Sequence, residues 1–211
     1  MYNYELGTKA TVFEGRVNFA LSLFNLDWKD TIVFANDSID DVVGVNPFVY
    51  GFASNVGKAK AQGVELEVQF AVTDALRISM GGSYNWKSEI GKVASARFNG
   101  VAVEDGNRLP RSPKYNANVA VSYDFRLSGW DATARADAYA TGSSFHDISN
   151  QRSAPAFHQF NLRLTARQDA WEVSAFIRNV TDEEIVLDFN DVGFRLGYPR
   201  SLGLEVAYVP Q

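Results

Sequence analysis

The sequence predicts an all-β fold: an antiparallel up-and-down sheet of the kind that closes into a membrane-spanning barrel, with this chain supplying about nine strands. Three observations carry that expectation. Apolar and polar residues alternate with period two from end to end, the connections alternate between short and long, and no stretch holds a helical period. In addition, the longest unbroken apolar runs are four residues (Ile32 to Ala35, Val206 to Val209), whereas a membrane-spanning helix needs about 20. A barrel strand shows lipid only every second residue, so it escapes that test.

The alternation is clearest at Tyr115, Ala117, Val119, Val121, Tyr123 and Phe125, which are separated by Asn116, Asn118, Ser122 and Asp124. A segment of this kind sits as a strand with two unlike faces. Leu76, Ile78, Met80, Tyr84 and Trp86 stand against Arg77, Ser79, Ser83, Asn85 and Lys87, and Val64, Leu66, Val68 and Phe70 against Glu65, Glu67 and Gln69. Phe160, Leu162 and Leu164 stand against Gln159, Asn161 and Arg163, and Trp171, Val173, Ala175 and Ile177 against Glu172, Ser174 and Arg178. Alanines 132 to 140 alternate with Thr133, Arg135, Asp137 and Tyr139, and the last strand carries Leu202, Leu204, Val206 and Tyr208. The nine expected strands run over about 2–11, 16–36, 54–71, 75–89, 113–126, 131–146, 155–168, 171–181 and 196–209.

The connections between them are short, long, short, long throughout, so tight turns gather at one end of the sheet and long loops at the other. Outer-membrane barrels have that asymmetry, and about 9 to 11 residues suffice for a tilted strand to cross. The polar face is rich in Asn, Gln, Ser, Thr, Arg and Glu, which suits a hydrated interior. The apolar face carries aromatics toward strand ends, among them Tyr115, Phe125, Trp86, Trp130, Trp171 and Tyr208, where side chains with an apolar body and a polar tip meet lipid headgroups. A soluble β-sandwich, with the apolar face turned to a core, remains the alternative on periodicity alone.

Composition narrows the function. A net charge of −5 argues against a nucleic-acid binder, which needs a Lys/Arg-rich face. Zero cysteines exclude disulfides, thiolate metal ligands and a thiol nucleophile. No phosphate-binding glycine loop, serine elbow or zinc-binding histidine pair occurs. Asp40 and Asp41, or Asp182, Glu183 and Glu184, are paired carboxylates without a nucleophile, so catalysis is not expected, and no cofactor is implied. Residues 37–41 lack the Gly and terminal Glu of a calcium loop. Asn179-Val180-Thr181 matches a glycosylation sequon and is expected to be bare. The first residues carry neither a positive leader nor an apolar stretch, the expectation for a cytosolic protein or for a piece of a longer one.

Five segments carry a family resemblance. Tyr4-Glu5-Leu6-Gly7-Thr8-Lys9 with Phe13-Glu14-Gly15-Arg16-Val17, and Asn55-Val56-Gly57-Lys58-Ala59 running on to Gly63-Val64-Glu65-Leu66-Glu67, are the first two. Arg108-Leu109-Pro110-Arg111-Ser112-Pro113, Phe176-Ile177-Arg178-Asn179-Val180-Thr181-Asp182, and Gly197-Tyr198-Pro199-Arg200-Ser201 follow in order. Together they resemble the C-terminal part of the β-barrel of TonB-dependent outer-membrane receptors. The resemblance implies a barrel of about 22 strands, filled by an N-terminal plug, and energised uptake of a scarce solute, a ferric siderophore above all. It implies as partners outer-membrane lipid, a small ferric chelate, the plug and N-terminal strands that lie outside this chain, and the TonB complex reached through that N-terminal region; nucleic acid is not among them. A soluble or surface-attached β-sheet binding module is the other function compatible with the residues.

In such receptors the ligand meets the long-loop end. The candidate residues there are Phe48, Tyr50, Phe52, Arg97, Phe98, His146, Arg152, Phe189 and Arg195. Aromatics offer stacking surface for a chelator, and arginines offer forked donors to its anionic groups. Packing of loops, contact with lipid phosphate or exposure to water would account for the same residue types. His146 lies near the long-loop end of its strand, within reach of a ligand or a ferric centre, with a solvated rim position as the alternative. His158 is placed beside a short turn with the parity of the apolar face.

Overall fold

A computed structural model describes residues 1–39, 48–55, 57–91, 97–98, 101–190 and 193–210. Seventeen strands follow one another: β1 (Tyr2–Val12), β2 (Val17–Lys29), β3 (Ile32–Ile39), β4 (Phe48–Asn55), β5 (Lys58–Ala71), β6 (Leu76–Gly91), β7 (Arg97–Phe98), β8 (Val101–Ala102), β9 (Tyr115–Leu127), β10 (Trp130–Thr141), β11 (Ser144–Phe145), β12 (Ser153–Ala154), β13 (Phe157–Gln168), β14 (Trp171–Arg178), β15 (Val186–Asn190), β16 (Gly193–Leu196) and β17 (Ser201–Tyr208). Nine of them form one antiparallel sheet in the order β1-β2-β5-β6-β9-β10-β13-β14-β17. The other eight are four small hairpins, β3-β4, β7-β8, β11-β12 and β15-β16, one in each long connection. No helix among the described residues is long and apolar enough to cross a membrane.

Short turns close the opposite end. Phe13, Glu14 and Gly15 all have positive φ, and the Arg16 N–H donates to the Phe13 carbonyl at 3.0 Å. Ser128 and Gly129 repeat the left-handed pair (φ 50° and 88°). Two successive positive φ values give a turn whose twist matches that of the flanking strands.

The ladder register shows which side chains share a face. One row crosses all nine strands: Val12, Val17, Phe70, Ile78, Val121, Ala136, Leu162, Ile177 and Leu202 are cross-strand partners in turn. The row below it on β6 to β17, Leu76, Tyr123, Ala134, Leu164, Ala175 and Leu204, is equally apolar. These side chains are not buried: Leu202 and Leu204 are 74% and 79% exposed. A continuous apolar sheet of this extent in water would be an interaction or aggregation surface. In hydrocarbon it needs no cover. Among the described residues no second layer packs on it, so the sandwich alternative does not hold.

The opposite face is polar and ordered by charge. Arg126, Asp131, Arg167 and Glu172 are successive cross-strand partners with alternating sign. Arg126 donates to Asp131 at 2.9 Å and Arg167 to Glu172 at 2.6 Å. One row on, Thr133 donates to Asp124 at 2.8 Å while Arg77 pairs with the same carboxylate at 2.7 Å. Cross-strand neighbours of opposite charge are the favourable arrangement in a sheet. Two phenyl rings also lie over glycines. A Cβ on Gly203 would stand 2.2 Å from the Phe176 ring and one on Gly63 2.5 Å from the Phe24 ring. The Phe176 ring carries the Arg163 and Arg178 guanidiniums at 5.0 and 4.8 Å, a cation–π stack on the polar face.

Four expectations need correction. The segment 16–36 is not one strand: β2 stops at Lys29, Asp30 turns left-handed (φ 55°), and the chain continues into the separate β3-β4 hairpin. Similarly, 131–146 breaks after Thr141, because Gly142 crosses against the Tyr115 ring, 3.1 Å from where a Cβ would be. The alternation read through Trp86 and Lys87 fails at a bulge opposite Gln62/Gly63, after which Lys87 faces Gln62 and Glu89 faces Lys60 on the outward side. His158 lies at the long-loop end of β13, opposite Ala140, and not beside a short turn.

The two faces make opposite demands on charge. Leu204→Arg at mid-strand on the apolar face is expected to cost about 2–4 kcal/mol in the bilayer. Gln69→Arg on the polar face of β5 is expected to stay within about 0.5 kcal/mol. Urea unfolding of the lipid-inserted barrel checks both, and the reverse ranking would put lipid on the other face.

Candidate functional site

The buried part of the molecule lies mostly at the long-loop end. Ala59, Ile90, Val103, Ile148, Ala154 and Ile185 are buried there. Ala59 and Ile90 are partners on the wall strands β5 and β6, and the other four lie in the long connections.

Three connections are tied together around one carboxylate. Asp188, on β15, accepts from the Arg111 Nε–H at 2.9 Å and lies 2.7 Å from His146 Nδ1 through its other oxygen. Arg111 belongs to the connection before β9 and His146 to that after β10, so the contact joins the third, second and fourth long connections of the main sheet. Arg111 has φ 54°, and its N–H donates to the Phe145 carbonyl at 2.8 Å. The Arg-Leu-Pro-Arg-Ser-Pro segment thus has a mechanical meaning: its prolines sit where no ladder donor is required, and its second arginine reaches a neighbouring loop.

A second tie lies beside it. Asn150, with φ 58°, accepts from the Arg108 N–H at 2.6 Å and donates back to the Arg108 carbonyl at 2.9 Å. Asn107 donates to the Ile148 carbonyl at 3.0 Å, and the buried Asp147 carboxylate accepts from the Ser149 N–H at 2.9 Å and from its hydroxyl. The Asx geometry explains why a polar run, Asp147 to Asn150, can sit largely buried: its side chains serve its own backbone.

A third tie closes the last long connection. Asn179 is fully buried with φ 50°. Its amide donates to the carbonyls of Glu183 at 2.8 Å and Tyr198 at 3.2 Å, and its oxygen accepts from the Glu183 N–H at 3.1 Å. Asn161 Oδ1 accepts from the Asn179 N–H at 2.9 Å, and Asp182 accepts from the Arg200 N–H at 3.0 Å. The sequon therefore offers no accessible amide. Asp182 and Glu183 act as backbone partners here, as does Glu183 toward the His158 N–H at 3.2 Å.

The expected ligand residues lie in the long connections. Phe48, Tyr50 and Phe52 are alternate residues of β4, paired in the ladder with Ile39, Asp37 and Ala35 of β3. Arg97 and Phe98 make up β7, opposite Ala102 and Val101. Phe189 and Arg195 face Phe194 and Asp188 across β15-β16. Arg195 and Arg152 are exposed, and the Arg152 carbonyl accepts from the His146 N–H at 3.0 Å. His146 is not a solvated rim residue: it is largely covered and lies 2.7 Å from Asp188. Asp40 and Asp41 lie outside the described residues. Sequence reasoning missed the contact of Arg111 with Asp188, which periodicity cannot flag because the two residues lie 77 apart in different connections. Among the described residues, no group of three or more His, Asp or Glu side chains could hold a metal.

The Asp188 tie should be measurable. Asp188→Ala leaves Arg111 and His146 without their shared acceptor and is expected to speed amide exchange of residues 143–150, 186–190 and 193–196 by about 10-fold or more, at roughly 1–3 kcal/mol per lost charged partner. Exchange in the nine-strand sheet should stay unchanged.

Comparison with known proteins gives the same architecture. The family described as "TonB dependent receptor-like, beta-barrel" matches residues 1–180. The chain is 25% identical over 162 residues to the probable TonB-dependent siderophore receptor PiuA of Acinetobacter baumannii, covering 75% of this chain and 20% of that protein. It is 26% identical over 210 residues to the metal-pseudopaline receptor CntO of Pseudomonas aeruginosa, covering 96% of this chain and 27% of that one. The chain thus spans about a quarter or less of these relatives. Among solved structures, PiuA superposes with a TM-score of 0.77 at 21% identity over 98% of this chain and 28% of its own, and the ferric yersiniabactin uptake receptor FyuA of Yersinia pestis with 0.75 at 20% over 98% and 29%. At such identity these structures show the fold. The family contains receptors rather than enzymes, and the chain belongs to it, as a stretch of β-barrel wall whose apolar face meets the lipid of the bacterial outer membrane.

Proposed function

We propose that the chain is the C-terminal wall and loop portion of a larger receptor for TonB-energised uptake of a scarce solute, a ferric siderophore. The observation that carries this reading is the pairing pattern of the sheet: among the described residues β1 and β17 each have a partner on one side only. An unpaired edge inside hydrocarbon leaves backbone donors and acceptors unsatisfied at several kcal/mol each. Nine antiparallel strands also leave the first and last running the same way, so they cannot close on each other in an up-and-down barrel. Further strands must satisfy both edges, and the short share of its relatives that the chain spans fits that need.

Within the proposed receptor, the plug and N-terminal strands complete the barrel, and the TonB complex acts through that N-terminal region. The polar face of alternating charges is the surface such a plug would meet. The ligand would meet the hairpins at the long-loop end, with Phe48, Tyr50, Phe52, Phe98 and Phe189 as stacking surface and Arg97, Arg152 and Arg195 as donors to an anionic chelate. His146 has a supporting part there, since Asp188 fixes its ring. The siderophore receptors among the relatives favour a ferric chelate over other scarce solutes.

Energised uptake of a labelled ferric siderophore by cells making only these 211 residues is expected to stay at background; uptake by this chain alone would end the fragment reading. In the complete receptor, Arg152→Ala with Arg195→Ala is expected to weaken chelate binding by about 5- to 30-fold, the worth of one or two charge-assisted hydrogen bonds. Unchanged affinity in equilibrium binding with the ferric chelate would remove these arginines from the site.

A further inference from the structure

The outward face changes character abruptly near the long-loop end. On β2, β5 and β6 its last apolar row is Leu23, Val64 and Tyr84. The next outward rows are Asn25, Gln62 and Lys87, then Asp27, Lys60 and Glu89, then Lys29, Lys58 and Gly91. With a strand rise of about 3.3 Å per residue and a tilt near 40°, these rows stand roughly 5 to 15 Å above the apolar band, the depth of the outer-leaflet headgroups. Tyr2 and Tyr4 flank the rows on β1, opposite Asp27 and Asn25.

Lysine is concentrated there. The chain has seven lysines and 13 arginines. Lys29, Lys58, Lys60 and Lys87 occupy these outward rows, and Lys114 lies 5.8 Å over the outward Tyr84 ring. The described arginine contacts belong to the polar face, the turns and the loops. Lys60 and Lys87 have acidic neighbours, Asp27 at 3.5 Å and Glu89 at 3.2 Å. Lys29 and Lys58 are instead direct cross-strand partners. Among the described residues Lys29 has only the Tyr2 ring, 5.4 Å away, and Lys58 has no carboxylate partner. Like charges placed opposite one another destabilise a sheet, so the pair is unfavourable unless an anion lies between them. A cleft of about 400 Å³ opens at this place, and its lining holds four lysines, Lys29, Lys58, Lys60 and Lys87, against three carboxylates, Asp27, Glu89 and Asp105.

We propose that Lys29 and Lys58, supported by Lys60, Lys87 and Lys114, bind the phosphate of a phosphorylated lipid headgroup in the outer leaflet. The position decides the source, because the lysines stand on the lipid-facing side directly above the apolar rows. Lysine also suits a phosphate at this depth. Its long apolar stem lies along the wall while the ammonium rises to the headgroup, and a point charge serves a phosphate of any orientation. The bound phosphate neutralises the opposed pair and holds the lipid against the barrel.

The assignment rests on the outer-membrane barrel described above; the receptor reading enters only through the molecule tested. Native mass spectrometry of the complete receptor titrated with bisphosphorylated lipid A is expected to show a retained adduct. Lys29→Gln with Lys58→Gln should require about 30-fold more lipid, Lys29→Arg with Lys58→Arg should bind as the wild type, and dephosphorylated lipid A should bind the wild type no better than the glutamine variant. Equal retention by wild type and glutamine variant, or of both lipids, overturns the proposal. Displacement of the adduct by millimolar inorganic phosphate overturns the lipid source in favour of a soluble anion. Because the glutamines remove a repulsion, that variant should fold as a heat-modifiable barrel. A wild type that forms no such barrel would instead end the receptor reading and this proposal with it.

Discussion

Backbone hydrogen bonding in a medium without water is the constraint on which the rest of this structure depends. In hydrocarbon every N–H and C=O must find a partner within the protein, and a sheet does so only through an unbroken ladder. The register is therefore continuous across nine strands, and the side chains must follow its period of two. Once one row, Val12 to Leu202, is fixed as lipid-facing, all the others are fixed with it, because a slip of one residue would exchange the faces.

That rigidity sets what the polar face can do. Arginines and carboxylates alternate along a row because each is held directly opposite its neighbour, and the Phe176 and Phe24 rings lie over Gly203 and Gly63 because only a residue without a Cβ leaves the space. Individually such exposed pairs contribute little. Their value is positional: they give a hydrated surface of defined charge order on which another domain can seat.

Above the membrane the constraint relaxes, and water can satisfy backbone groups. The loops there are held by side chains: the Asp188 carboxylate between Arg111 and His146, Asn150 against Arg108, and Asn179 across the connection to Tyr198. Left-handed residues mark each of these ties, Arg111, Asn150, Asn179 and Asp182. Asparagine and aspartate tolerate that region because their side chains bond to nearby backbone. The β15-β16 hairpin, which bears Phe189 and Arg195, is thus tied through Asp188 to two neighbouring connections and not only to the wall.

The number of strands in the wall, the residues that share its apolar face, and the alternation of turns with long loops are all legible in the amino-acid order. A face buried in one uniform medium imposes one residue type on every second position, and such a rule is readable one residue at a time. The strand ends, the bulge that turns Lys87 outward, the break at Asp30 and the four small hairpins were decided by tertiary structure, because each depends on where a partner strand stops. The same holds for the site. The aromatics and arginines of the loops could be named from composition, but Asp188 and Arg111 lie 77 residues apart, and Lys29 and Lys58 face each other only because β2 and β5 pair. No local pattern encodes a contact between loops or an opposition across strands; only the ladder, once formed, brings those charges together.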